Sequence, residues 1–227
     1  MKAMILAAGR GKRMMPLTAS KPKPMLEVAG RPLIEHHLQR LRDAGIDEVV
    51  INLAWQGEAI KDYFGDGSAF GVTISYSQEP EGGLETAGGI IKALPLLCQD
   101  SDQFVVINGD VFTDYDCSSL TALQLGSDSP GECLAHIVLV ENPEHNPDGD
   151  FALAHQPLNS NKYTFAGIGK YHRDFFGHHT AEFLKLGPML AEGLNNHCVS
   201  TELYLGQWDD IGTPERLALI NDKVGRI

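Results

Sequence analysis

The chain opens on an unbroken apolar run, Ala3 to Ala8, that ends abruptly in Gly9-Arg10-Gly11-Lys12-Arg13. Apolar residues without alternation suit a strand covered on both faces, the condition of a central parallel strand. The glycines then let the backbone turn and present its N–H groups outward. Six basic residues (Lys2, Arg10, Lys12, Arg13, Lys21 and Lys23) stand in the first 24 positions, and no acid precedes Glu27. The chain as a whole has the opposite balance, 18 Lys+Arg against 30 Asp+Glu. A positive, glycine-rich loop at the end of a buried strand suits an anionic ligand, above all a polyphosphate.

The pattern after this loop alternates. Leu33, Ile34, Leu38 and Leu41 fall at helical spacing, with Pro32 at the first helical position and Gly45 as the stop. A second buried strand (48–54), a short helix (56–64) and a third strand (71–77) follow, giving the β-α-β-α-β order of a parallel sheet flanked by helices. Thr86 is placed to cap a helix containing Gly88-Gly89, and the strand 104–110 ends in Asn108-Gly109-Asp110. From Cys133 the pattern shifts to short strands and turns, which predicts a small antiparallel insertion over about 133–172 closing on the site. A helix over 182–194, a strand over 199–208 and a last helix capped by Thr213, with Pro214 at its first position, complete the chain. The expectation is one α/β domain, 1–227, with a Rossmann-like, mainly parallel sheet.

A formal charge of -12 argues against a nucleic-acid partner, because phosphate backbones select basic faces. No apolar stretch approaches the roughly 18 residues needed to span a membrane. Four scattered cysteines without a C-x-x-C pair indicate neither a zinc site nor a disulfide framework, so the expected compartment is the cytosol.

Gly9-Arg10-Gly11-Lys12-Arg13 matches neither the P-loop nor G-x-G-x-x-G, but a guanidinium at Arg13 can fork onto phosphate oxygens. In Lys21-Pro22-Lys23-Pro24 the prolines hold the lysines in extended geometry, making Lys23 a positioned charge. Asp110 and Asp210 lie at strand ends about a hundred residues apart. Two carboxylates near a polyphosphate are what Mg²⁺ needs, since it takes few protein ligands and fills the rest with water and phosphate.

Together, LAAGRGKRM, PLT, SKPKPML, GRPLI, the NGD strand end and WDDIGTP resemble the sugar-1-phosphate nucleotidyltransferases, in the family's order and from Lys2 to about Asn221. Within the family, LETAGGI and the chain's length are most similar to uridylyltransferases acting on N-acetylmuramate 1-phosphate in cell-wall recycling. No hexapeptide repeat is present, so the type carrying an acetyltransferase domain is not expected. The resemblance implies UTP and a sugar 1-phosphate as substrates, Mg²⁺ as cofactor, and a monomer or small homo-oligomer. It places Ala8, Gly9, Gly11, Lys12 and Arg13 around the nucleotide and its triphosphate, and Lys23 at the reacting phosphate. Arg13 and Lys23 are thus the catalytic candidates, and Asp110 and Asp210 the metal ligands. Glu79, with its neighbour Gln78, would read the base: a carboxylate can accept the uracil N3–H, which cytosine lacks. Asn108 would touch nucleotide or sugar, and Asp150, Gly167 and Lys185 would line the sugar side. Met15 and Ala87 depart from the family pattern, standing where relatives often carry Arg and Gly. A mannose-1-phosphate guanylyltransferase, another hexose-1-phosphate enzyme and a non-catalytic nucleotide-sugar binding subunit are the alternatives. His36-His37 lies on a helix, where neighbours diverge by about 100°, and is expected to pack rather than chelate.

Overall fold

The structure, a computed structural model, describes residues 1–126, 132–156, 160–177 and 179–225. From the amino terminus come β1 (Lys2–Leu6), a basic loop with single 3-10 turns at Lys12–Met14 and Lys23–Met25, and a hairpin of β2 (Glu27–Val28) and β3 (Arg31–Pro32). Next are α1 (Leu33–Asp43), β4 (Glu48–Leu53), α2 (Gly57–Phe64), β5 (Thr73–Gln78), α3 (Glu85–Leu97), β6 (Gln103–Asn108), β7 (Val111–Thr113) and α4 (Ser118–Ala122). The remainder holds β8 (Ala135–Val140), β9 (Phe151–Ala152), β10 (Lys162–His172), α5 (Leu186–Asn195), β11 (Val199–Tyr204), β12 (Trp208–Asp210) and α6 (Pro214–Val224).

The main sheet has the order β11-β8-β10-β6-β1-β4-β5, with β9 beside β10. It is mainly parallel: β1 pairs in parallel with both β4 and β6, β4 with β5, and β11 with β8, while β10 runs against β6 and β8. Helices cover both faces. Ile34, Leu38 and Leu41 of α1 pack on one face with Ile60 and Phe64 of α2, against Ile5, Ile51 and Ile107. Ile90 and Leu97 of α3 pack on the other with Leu190 of α5, against Met4, Phe104 and Ile137. This two-sided burial is why the strands read as continuous apolar runs. A third cluster, of Met14, Leu26, Val28, Leu33, Phe112, Ile211 and Ile220, pins α6 beneath the basic loop.

Strand order reverses at β1. The chain moves outward through β4 and β5, then returns to place β6 on β1's other side. Loops leaving β1 and β6 therefore diverge, opening a crevice at the carboxyl ends of these strands, where ligands of open α/β sheets bind.

Several boundaries differ from the pattern reading. The antiparallel segment expected over 133–172 takes the form of β8 and β10 within the main sheet, with β9, in the connection between them, paired to β10; residues 157–159 of that range lie outside the described residues. The helix expected from Glu182 begins at Leu186, because Leu184 is held as extended chain: it donates to the Leu84 carbonyl, and its own carbonyl accepts from Ala87 and Gly88. The strand expected over 199–208 splits at Gly206 into β11 and β12, and β12 leaves the main sheet to pair with β7. Thr86 lies inside α3, which starts at Glu85 without a side-chain cap, whereas Thr213 does cap α6 with Pro214 in its first turn.

The adjacent histidines pack, as expected. His36 makes a 2.9 Å bond to the Val28 carbonyl through Nε2, and His37 is 1% exposed. Burial, reinforced by Arg40, lowers the His37 pKa to about 3, and His36 is lowered by burial as well. Unfolded histidine titrates near 6.5, so the unfolded chain binds more protons below that pH. Stability from a neutral His37 is thus complete above about pH 6.5 and is lost progressively as pH falls toward 3. Urea unfolding at pH 7 and pH 5 should show a smaller pH-dependent loss in His37→Leu than in the parent; equal losses in both would refute the assignment.

Candidate active site

The crevice is a cleft of about 460 Å³ with Ala8, Gly9, Gly11 and Lys12 on one wall and Lys23, Glu79, Asn108 and Asp110 on others. Gly11 has φ of +59°, and a Cβ there would lie 3.0 Å from both the Lys23 Cβ and the Thr18 Cγ2. Glycine thus lets the first basic loop fold onto the second. The second loop delivers Lys23, 9% exposed, whose ammonium is ion-paired with the Asp110 carboxylate. Arg10, the cleft's other basic residue, stacks its guanidinium 4.4 Å from the centre of the Trp55 ring.

One end of the cleft is a buried polar bridge. Asn52, the last polar residue of an apolar strand, accepts from Ala7 N–H at 2.7 Å and donates to Glu79 Oε1 at 2.6 Å. Glu79 Oε2 accepts from Leu84 N–H at 2.8 Å, at the mouth of α3. A Cβ on Gly89 would come within 2.4 Å of Glu79 Oε1, so the second glycine of LETAGGI makes room for the bridge. Gln78 points elsewhere. It is exposed, donates at 3.2 Å to the carbonyls of Leu53 and Glu79, and lines a side cavity with Arg10 and Trp55.

A second cavity, of about 270 Å³, adjoins the first and shares Asn108 and Asp110 with it. Asp210 and Arg13 also face it, and Arg13 makes no ion pair among the described residues. The antiparallel pairing of β7 with β12 brings the two aspartates to one place: Asp210 lies opposite Val111, and Ile211 N–H donates to the Asp110 carbonyl at 2.8 Å. Asp210 Oδ1 is shared by Arg216 of α6 and by His145 Nε2, the latter at 2.9 Å. Gly167, with φ of +71°, sits so close that a Cβ would be 2.5 Å from Asn108 Nδ2. Asp150 is exposed and braces the wall, accepting from Phe165 N–H at 2.8 Å and from Asn146 at 3.3 Å. Trp208 lines the cavity and donates to the Ala166 carbonyl at 2.9 Å. Lys185 is exposed at the start of α5 and lines neither cavity; its near neighbour Phe183 reaches the main cleft instead.

Sequence reasoning did not single out Asn52, Arg216 or His145. Asn52 left a signal, a lone amide in a buried run. The other two left none, since His145 and Arg216 meet across 71 positions. Of the two departures, Met15 is 56% exposed, while Ala87 is fully buried. Removing the Asn52 amide should leave the Ala7 N–H unsatisfied and the Glu79 carboxylate loose. Asn52→Ala is expected to lose about 1–3 kcal/mol of unfolding free energy in urea; parent-like stability would sink the bridge as a structural element.

The comparisons with known proteins agree with this geometry. Residues 2–149 match the family model described as "Nucleotidyl transferase". An N-acetylmuramate alpha-1-phosphate uridylyltransferase of Neisseria meningitidis is 52% identical, the match covering 96% of this chain and 95% of the relative. A mannose-1-phosphate guanylyltransferase of Mycobacterium tuberculosis is 42% identical over 52% of this chain and 32% of its own length. The fold is shared with a Bacillus anthracis chain described as a glucose-1-phosphate thymidylyltransferase: TM-score 0.83, 21% identity, 100% of this chain and 96% of that one covered. The protein belongs to the nucleotidyl transferase family.

Proposed function

We propose that the chain transfers the uridylyl group of UTP to N-acetylmuramate 1-phosphate, releasing pyrophosphate, with Mg²⁺ as cofactor. The observation that carries this reading is the meeting of two cavities at Asn108 and Asp110, with Lys23 at the junction. A nucleotide in the larger cleft would have its α-phosphate at that junction, facing a sugar phosphate in the smaller one. Choice of the sugar rests on the extent and identity of the match to the Neisseria relative. The cytosol, where UTP is made, is the proposed compartment, and a monomer or small homo-oligomer the proposed form.

The nucleophile is already an anion, so no general base is required; the obstacle is repulsion between two anions held in line. Lys23 offers charge at the reacting phosphate, and Arg13 at the outer phosphates. Neither needs to reorganise far, because both loops are fixed by their glycine and proline positions. Asp110 and Asp210 would hold the metal. They suit a hard ion with few protein ligands, since both are carboxylates facing one cavity. When bound, Mg²⁺ neutralises developing charge and orients the phosphates. On the base side, Glu79 keeps lone pairs beyond the two donors it already accepts, so a uracil N3–H approaching it from the cleft remains compatible with the bridge.

Pyrophosphate release over a matrix of four nucleoside triphosphates and several sugar 1-phosphates tests the assignment. UTP with N-acetylmuramate 1-phosphate should lead, chelation should abolish turnover and Mg²⁺ should restore it. A preference for GTP with mannose 1-phosphate would overturn the substrates and leave the reaction class standing. Lys23→Ala and Asp110→Asn should each lower kcat by roughly 10²-fold or more in folded protein; near-normal turnover in folded Lys23→Ala would remove Lys23 from the mechanism.

A further inference from the structure

Three lysines are buried among the described residues: Lys2 at 8%, Lys23 at 9% and Lys170 at 2% exposure. Lys2 is paired with Glu48 at 2.9 Å and Lys23 with Asp110. Lys170, the most buried of the three, has no carboxylate partner among the described residues. Its ammonium donates to the Leu123 carbonyl, which leaves two of its three N–H groups for other acceptors. A buried lysine is rare unless paired, because a desolvated charge is costly without a counter-charge. Burial alone lowers its pKa, with no neighbouring charge contributing.

The residue stands on β10 opposite Val105 of β6 and opens onto a cavity of about 340 Å³. This cavity lies at the amino end of β6, the end of the sheet away from the reaction cleft. Its walls come from the turn at Gly45-Ile46, from Ser101 and Gln103 before and at the start of β6, and from Thr121 and Gln124 at the end of α4. Among the described residues Lys170 carries the only charged side chain on it, with the amino-terminal residue Met1 also on the wall, in a protein whose net charge is -12. Hydroxyl and amide groups beside an unpaired ammonium form an anion site rather than a cation site, and a lysine serves such a site as a compact point charge.

We propose that this cavity binds a small oxyanion of the phosphate class, with Lys170 as its counter-charge. The site is separate from the reaction cleft, and the inference stands whichever sugar or base the enzyme uses.

Inorganic phosphate is the probe, titrated into ¹³C-lysine-labelled full chain at constant ionic strength set with sodium chloride. The Lys170 side-chain signal, identified by its loss in Lys170→Met, should shift saturably with phosphate. It should shift equally in Lys23→Met, which separates this site from the reaction cleft. Gln124→Glu supplies a carboxylate from the cavity wall: it should raise Tm in phosphate-free buffer and abolish the Lys170 response. That variant also keeps the test sharp where Lys170→Met fails to fold. A Lys170 signal that does not move, or that moves only in proportion to added salt, would overturn the proposal. So would a Gln124→Glu protein that still shows the full response.

Discussion

The parallel pairing of β1 with β6 is the contact on which the rest of the structure depends. It sets Leu6 against Asn108, and Gly109 N–H then donates to the Leu6 carbonyl at 2.9 Å, so the two chains leave the sheet from one point. A Cβ on Gly109 would lie 2.6 Å from that carbonyl oxygen and 3.2 Å from the Pro24 side chain. Glycine there admits the second basic loop, and with it Lys23, to the end of β6. The second basic loop and the carboxylate of Asp110 thus become neighbours through backbone packing, before any attraction between them acts.

The acids of the site are each met by a group from a different element of the fold. Asp110 has Lys23 from the loop after β1, Asp210 has Arg216 from the last helix, and Glu79 has Asn52 from β4. These partners hold the side chains in place without substrate. A polar cleft fixed in this way meets a charged ligand with little reorganisation, which is the condition for electrostatic stabilisation of a transition state. The same arrangement lets an acidic protein present a basic face at the site: Lys12 faces the cleft and Arg13 the smaller cavity, neither with an ion-pair partner among the described residues, while Lys23 is held at the junction.

Much of this was legible in the residues. The runs at β1, β4 and β6 are apolar without alternation because the sheet is covered on both faces, and that pattern alone indicates a parallel core. Asp110 and Asp210 were visible as carboxylates at strand ends. Boundaries were less legible where tertiary contacts override local preference. Glu182 to Lys185 reads as the start of a helix, yet Leu184 is taken by backbone bonds to the mouth of α3, and a Cβ on Gly88 would strike the Glu182 carbonyl oxygen at 1.9 Å. The break at Gly206 was hidden because only three residues separate β11 from β12, yet the two strands join different sheets. Contacts such as His145 with Arg216 belong to no local pattern, since neither residue's neighbours carry information about the other.

The clasp between α6 and the site has a consequence for synthesis. Asn221 accepts from Ala29 N–H at 3.0 Å and donates to the Glu27 carbonyl, tying the helix to the β2–β3 hairpin, while Arg216 holds Asp210. A chain emerging from the ribosome completes β1, β4, β5 and β6, with the loops that line the main cleft, before β12 and α6. Asp210 and the helix that steadies it are translated nearly two hundred residues after the basic loop. The cleft walls are therefore synthesised well before the carboxylate that completes the smaller cavity, so on the proposed reading a nascent fragment lacks the metal side of the site.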